Sequence, residues 1–196
     1  MLSTGQNNFT KLPVVTKNVL DVSEIDDTNQ YKLQDNVSVI CFLGNDVDKN
    51  KTGLLNLNEK IYKEFIDNKK FQIVAIFPKG KEVEAQKLKN QLGAFTDMKN
   101  WRFLAASNVD IERFYKSFSI DELLNADLSS SKAYLIDKGL SLRGRVGVEA
   151  EESVFGYNMN SVAELKDKLK DDIKVLYYEY YAAFKERNEN KADRKI

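Results

Sequence analysis

The single thiol of this chain limits the redox chemistry that the chain can perform. Cys41 is its one cysteine in 196 residues, and the sequence has no histidine. One cysteine excludes an internal disulfide and a two-cysteine redox centre within the chain, and the lack of histidine excludes His-based triads and His metal sites. Cys41 lies inside an apolar run, away from any feature that would lower the pKa of a thiol. We expect a buried structural cysteine. The alternative is a one-cysteine thiol peroxidase or thiol-transferase that uses Cys41.

The polar segment after Cys41 carries the side chains best suited to hold a ligand. Asp46 and Asp48 offer oxygen atoms at alternate positions, as at the start of a calcium-binding loop. Lys51 and Leu57 then occupy the positions of the glycine and the last glutamate of that motif, so we expect no metal site. The segment precedes a predicted helix, whose free N–H groups favour anions, and it could recognise a carboxylate or a peptide backbone. The candidate ligand-binding residues are Asn45, Asp46, Asp48, Lys51 and Thr52.

Two further clusters of side chains are open to a functional interpretation. Four tyrosines crowd five positions of the last predicted helix and cannot all face one side of it, so some must be exposed or be covered by another chain, either a protein partner or a second copy. The interface candidates are Tyr177, Tyr178 and Tyr181. A second cluster is acidic, and we expect it to be an exposed loop rather than an acid–base pair; it consists of Glu149, Glu151 and Glu152.

The overall composition is that of a globular protein with no strong electrostatic field. Thirty basic residues balance thirty acidic ones, and 42% of the residues are hydrophobic. We therefore expect no nucleic-acid partner and no membrane insertion, no cofactor, and a cytoplasmic location. The alternative location is the periplasmic face of a membrane, with an anchor outside this sequence. The predicted organisation is a flexible segment over 1–18, one domain over 19–184 and a charged tail over 185–196.

Hydrophobic patterning predicts the elements that would position these residues. Apolar runs at 37–43 and 71–77 indicate buried strands, and 101–105 is a shorter strand. Helices are predicted over 54–67 and 82–92, after the capping residue Ser107, and for about 25 residues after Ser161. A hairpin spans 132–137 and 140–146, and a shorter one links 20–22 to 31–33. This order predicts an α/β fold, a central mixed sheet with helices on both faces and a long C-terminal helix.

Several local patterns, in this order, resemble one family. They are Val-Ile-Cys-Phe-Leu-Gly at 39–44, a strand closed by Pro78, Asn-Trp-Arg-Phe-Leu-Ala at 100–105, Tyr-Leu-Ile-Asp-Lys-Gly at 134–139, and the helix from Ser161. Over residues 19–182 the chain resembles the Sco/SenC family of copper-delivery and thiol-oxidoreductase proteins. The resemblance implies a thioredoxin-like fold.

The resemblance also indicates where the active residues of that family would lie. It places the family's cysteine pair at Val47 and Lys51, and the family's histidine at Leu128. A copper site needs thiolate and imidazole ligands, which none of these three side chains supplies. We therefore expect a non-catalytic binding or structural module. A further alternative is a copper-handling role in which a partner chain supplies the ligands.

Overall fold

A seven-stranded mixed sheet forms the centre of the protein. The computed structural model describes residues 11–147 and 153–193, with side chains up to residue 188. The strand order is β1-β6-β5-β2-β3-β4, and β7 pairs with β5. The pairs β2–β3 and β3–β4 are parallel, whereas β5 runs antiparallel to β2 and β6 antiparallel to β5. The strands are β1 (Val14–Thr16), β2 (Val37–Leu43), β3 (Phe71–Pro78), β4 (Trp101–Ala106), β5 (Ser129–Ile136), β6 (Leu142–Arg143) and β7 (Tyr157–Asn158).

Helices cover both faces of this sheet, as the element order predicts. Helix α1 spans 51–65, with a π-helical stretch at Asn58–Tyr62, and it follows a 3₁₀ turn at Val47–Asn50. Helix α2 is Glu82–Gly93 and α3 is Asn108–Lys116. Helix α4 spans 162–193, with a π-helical stretch at Leu165–Leu169. Every residue of β2 and β3 is buried, because strands covered on both faces are apolar throughout.

The alternation of side chains along β2 divides the core into two clusters. Val39 and Cys41 face one cluster, which includes the apolar stripes of α1, α2 and α4. Ile40 and Phe42 face the other, which is closed by α3 and by the segment that runs from Val19 to Leu33. The helical stripe predicted from residue 54 to residue 65 is buried. Ser107 and Ser161 cap α3 and α4 by accepting the N–H of the third residue that follows each of them.

The hairpin predicted over 20–22 and 31–33 is wrong. The structure has a 3₁₀ turn at Val22–Glu24, and 31–33 is not a strand. The Asp21 carboxylate accepts the N–H groups of Ser23, Leu33 and Gln34, at 3.1, 2.9 and 2.8 Å. These N–H groups therefore bond to a side chain instead of to a neighbouring strand.

The C-terminal helix is longer than its sequence pattern indicates. The pattern predicts about 25 residues followed by a solvated tail from Lys185, whereas α4 continues to Asp193. The tail residues keep helical backbone although every described side chain from 181 to 188 is exposed. Within residues 11–147 and 153–193, no helix has the length and apolar character that a membrane crossing requires.

Candidate functional site

Two loops meet at the end of β2. Residues 44–50, the entry loop, connect β2 to α1, and residues 125–128, the facing loop, lead into β5. Leu43 pairs with Ser129 in the sheet, and the Asn45 N–H donates to the Asp127 carbonyl at 2.9 Å. Gly44 has a φ of 71°, and a Cβ at this position would lie 2.6 Å from the Asp127 carbonyl oxygen. The loops can approach this closely because Gly44 has no side chain.

The Asp127 carboxylate holds the facing loop together and joins it to the entry loop. It accepts the Ser129 hydroxyl at 2.6 Å and the Ser129 N–H at 3.1 Å. Lys49 Nζ, on the entry loop, lies 3.2 Å from its Oδ2. The hydrogen bond from the Ser129 hydroxyl lowers the pKa of Asp127 and outweighs burial, which would raise that pKa. The Ser129 N–H and Lys49 lower the pKa further. Asp127 is therefore ionised at neutral pH and links the two loops electrostatically.

The five candidate ligand-binding residues form one polar surface beside this junction. Asn45, Asp46, Asp48 and Thr52 are exposed and Lys51 is half-buried. Among the residues that the structure describes, no hydrogen bond or ion pair engages any of these five side chains. The same part of the chain contains no cluster of three or more His, Cys, Asp or Glu side chains that could hold a metal ion. The surface offers amide, carboxylate, hydroxyl and ammonium groups that are available to a ligand.

A buried asparagine that no sequence pattern predicts anchors the entry loop. Asn50 is 6% exposed, and its Nδ2 donates to the Phe42 carbonyl at 3.3 Å. One turn further, a Cβ on Gly53 would lie 2.9 Å from the Cβ of Met159, so α1 packs tightly on the segment before α4. No motif in the sequence marks Asn50 as this anchor.

The three positions that the resemblance assigns to metal and redox donors hold other side chains. Val47 is 2% exposed and Leu128 is 8% exposed. Leu128 has a φ of 64°, a left-handed conformation that is uncommon outside glycine, asparagine and aspartate. Lys51 begins α1. Two of the three positions are thus apolar and closed to solvent.

Cys41 lies in the core of the sheet, as its apolar surroundings predict. Its side chain is fully buried, and Sγ is 3.6 Å from the Val74 carbonyl oxygen on the neighbouring strand. Burial raises the pKa of the Cys41 thiol far above its ordinary value, because the thiolate would lose its hydration. In this position the sulfur is a neutral thiol that solvent does not reach.

The tyrosines of α4 occupy different environments. The Tyr177 ring packs against Phe65, with centroids 6.0 Å apart. The Tyr178 and Tyr181 rings are 6.4 Å apart, and Tyr181 is 64% exposed. Tyr180 packs on the sheet and accepts the Lys138 N–H at 3.1 Å. The acidic cluster of Glu149, Glu151 and Glu152 lies outside the described residues.

Two solved structures share this fold with the chain at low sequence identity. A SCO1/SenC family lipoprotein from Bacillus anthracis is 21% identical over 85% of this chain and 98% of its own, with a TM-score of 0.53. A Bacteroides thetaiotaomicron protein proposed to be a protein disulfide isomerase is 13% identical over 85% and 94%, also with a TM-score of 0.53. No protein-family model and no curated protein matches the sequence. These similarities confirm the expected thioredoxin-like α/β fold.

Proposed function

We propose that this chain is a non-catalytic binding module built on a scaffold related to the Sco/SenC family. The observation that carries the proposal is the chemistry of the three donor positions. Val47, Lys51 and Leu128 provide neither a thiolate nor an imidazole, and the one thiol, at Cys41, is buried in the sheet. Copper delivery and dithiol exchange both require soft or exchangeable donor atoms, which these positions do not supply.

The junction of the two loops supports a role in binding. Its shape depends on the Gly44 backbone, on the Asp127 carboxylate and on Lys49, so neither a metal nor a disulfide is needed to organise it. The exposed groups beside it are uncommitted, and Lys51 and Thr52 stand at the start of α1. An ammonium, a hydroxyl and helix N–H groups together suit a carboxylate or an extended peptide backbone.

Thiol labelling tests whether the chain has thiol chemistry. Cys41 should react with 5,5′-dithiobis(2-nitrobenzoate) only after denaturation, because its sulfur is buried and neutral. The Cys41→Ala variant provides the blank for the assay. Rapid labelling of the native protein at neutral pH, together with peroxide turnover that is lost in Cys41→Ala, would establish the one-cysteine enzyme instead.

Binding at the entry loop is tested with a simple carboxylate probe. Acetate and a short peptide with a free C-terminus should shift the amide resonances of residues 45–52, and Lys51→Ala should abolish the shifts. Lys60→Ala is the matched control, because Lys60 is a half-buried lysine on the same helix. Equal responses in the two variants would argue against a site at Lys51.

Finer proposals complete this function. Strand β1 at Val14–Thr16 and the end of α4 at Asp193 lie outside the predicted domain bounds of 19–184, so the proposed domain includes both. The exposed ring of Tyr181, with Tyr178 beside it, offers a contact surface for a protein partner. The location is cytoplasmic, and the alternative is a membrane-anchored form, since the B. anthracis relative is a lipoprotein; fractionation of cells that carry the untagged protein distinguishes the two. Copper retention only in the presence of a partner chain would support the shared-ligand alternative.

A further inference from the structure

Strand β4 forms one edge of the sheet, and its outward backbone groups can be identified. The Lys79 N–H donates to the Ala106 carbonyl, and the Ile73 N–H to the Asn100 carbonyl, both at 3.0 Å. In a parallel pair of strands, every second residue directs its backbone N–H and C=O groups toward the same neighbouring strand. The even-numbered residues of β4 therefore bond to β3, and the odd-numbered residues direct their N–H and C=O groups away from the sheet. The odd-numbered residues are Trp101, Phe103 and Ala105.

The outward groups are satisfied at one end of β4 and open along the rest. The Trp101 N–H donates to the Met98 carbonyl at 3.0 Å, and the Trp101 carbonyl accepts a hydrogen bond from Arg102 Nη1 at 3.3 Å. The N–H and C=O groups of Phe103 and Ala105 have no partner among residues 11–147 and 153–193. Proteins commonly cover or block such an edge because it can pair with another strand.

A groove follows this open edge. It encloses about 330 Å³, and its floor is formed by residues 103–105. Helix α2 forms one wall, and the segment over residues 26–31 forms the other. On α2 the residues that line the groove repeat at helical spacing, and they are Glu82, Ala85, Gln86 and Lys89.

Opposite charges lie at the two ends of the groove. Lys89 Nζ sits 5.8 Å above the centre of the Phe103 ring, and Arg102 lies at the same end with its guanidinium over Tyr31. Glu82 lies at the other end and accepts the Gly80 N–H at 3.1 Å. Within the described part of the chain, Lys89, Arg102 and Glu82 have no oppositely charged group within the 4 Å of an ion pair. The groove is therefore cationic at one end and acidic at the other.

We infer that this edge pairs with the same edge of a second copy of the chain. An antiparallel pairing about a two-fold axis at Leu104 would place Phe103 of each copy opposite Ala105 of the other. Each such pair exchanges two backbone hydrogen bonds, so four bonds satisfy the four open groups of each edge. The opposite charges at the two ends of the groove are complementary to those of its own two-fold copy.

The lining of α2 obeys the same symmetry. Glu82 and Lys89 are seven residues apart, about two turns on one face of the helix, and their midpoint falls between Ala85 and Gln86. A two-fold axis that passes beside this midpoint brings Glu82 of one copy to Lys89 of the other. The charges of α2 are therefore compatible with the arrangement that the strand specifies, and this supports a second copy over an unrelated peptide as the occupant.

Analytical ultracentrifugation of the full chain tests this dimer. The wild-type protein should sediment as a concentration-dependent dimer, and Ala105→Pro should sediment as a monomer with an unchanged circular dichroism spectrum. Proline at an outward-facing edge position removes no bond of the β3–β4 ladder, so the fold is retained. The proposal is overturned if the wild-type chain stays monomeric when its concentration is raised 100-fold above the lowest concentration measured.

Charge-reversal variants test whether the dimer forms through this interface or through another surface. Lys89→Glu should raise the dissociation constant roughly tenfold, because two symmetry-related attractions become repulsions. Adding Glu82→Lys to that variant should restore the dimer, whereas Lys60→Glu should leave it unchanged. A dimer that persists in Ala105→Pro, or that Tyr181→Ala dissociates instead, contradicts pairing through β4.

Discussion

Replacing Gly44 with alanine tests the close contact between the two loops of the candidate site. Gly44 has a φ of 71°, and a Cβ there would meet the Asp127 carbonyl at 2.6 Å and the Ser129 Cβ at 2.7 Å. The left-handed conformation costs an L-residue about 1–2 kcal/mol, and forcing an atom into a filled space costs about 1–3 kcal/mol more. We therefore expect Gly44→Ala to lower the free energy of unfolding by roughly 2–5 kcal/mol.

Gly80→Ala is the matched control for this experiment. Gly80 also has a positive φ, of 90°, but a Cβ there would have no atom within 4 Å. Both variants share the conformational cost and the gain from a less flexible unfolded chain, so the difference between them isolates the contact. Urea unfolding followed by fluorescence of Trp101 measures both. If Gly44→Ala destabilises the protein no more than Gly80→Ala, the loops are not packed as described.

Three other predictions concern charge and pH. Asp127→Asn should be less stable than wild type near neutral pH. The difference in the free energy of unfolding should close below about pH 4, because a carboxyl whose native pKa is lowered loses its stabilising contribution as the pH falls through that pKa. Arg143→Met should cost roughly 3–5 kcal/mol in urea unfolding, because it strands two carboxylates that Arg143 bridges while only 7% of its side chain is exposed. Burial raises the pKa of Tyr180 to about 12, so wild-type stability should fall from about pH 10 upward, and Tyr180→Phe should reduce that fall; an unchanged alkaline profile would contradict it.

The centre of the fold could be predicted because its sequence signals are local and strong. Strands β2 and β3 are continuous apolar runs bounded by polar residues, and α1 has one apolar stripe. Strand β1 has three residues and β7 has two, too few for any periodicity to show. Their positions depend on pairing with β6 and β5, contacts between residues more than a hundred positions apart for β1.

The failed prediction over 20–33 has a different cause. Val22 and Leu33 are buried, so the sequence signal for burial was correct and the inferred conformation was not. Asp21 and Asp26 take the backbone N–H groups that a hairpin would use; Asp26 alone accepts three, between 2.9 and 3.0 Å. Short polar side chains that bond to nearby backbone compete with strand pairing, and patterns of hydrophobicity do not register that competition.

The position of the candidate site could be predicted, but its internal bonding could not. The residues of the entry loop follow β2 directly, so their clustering is a consequence of sequence order. The contribution of Asp127, almost eighty residues away, depends on how β5 returns beside β2. Asn50 carries no motif and is identified as an anchor only by its burial and its bond to Phe42.

The way in which the loops are joined bears on what the chain can do. A metal or a disulfide commonly fixes the loops of such a site, and its loss then disorganises them. Here ordinary protein groups hold the loops together. They are a backbone hydrogen bond from Asn45, the close approach at Gly44 and the ion pair of Lys49 with Asp127. With neither a thiolate nor an imidazole at the three family positions, the junction still presents an ordered polar surface, and such a surface loses less conformational entropy when it binds a ligand. This property is the physical basis of the proposed binding function.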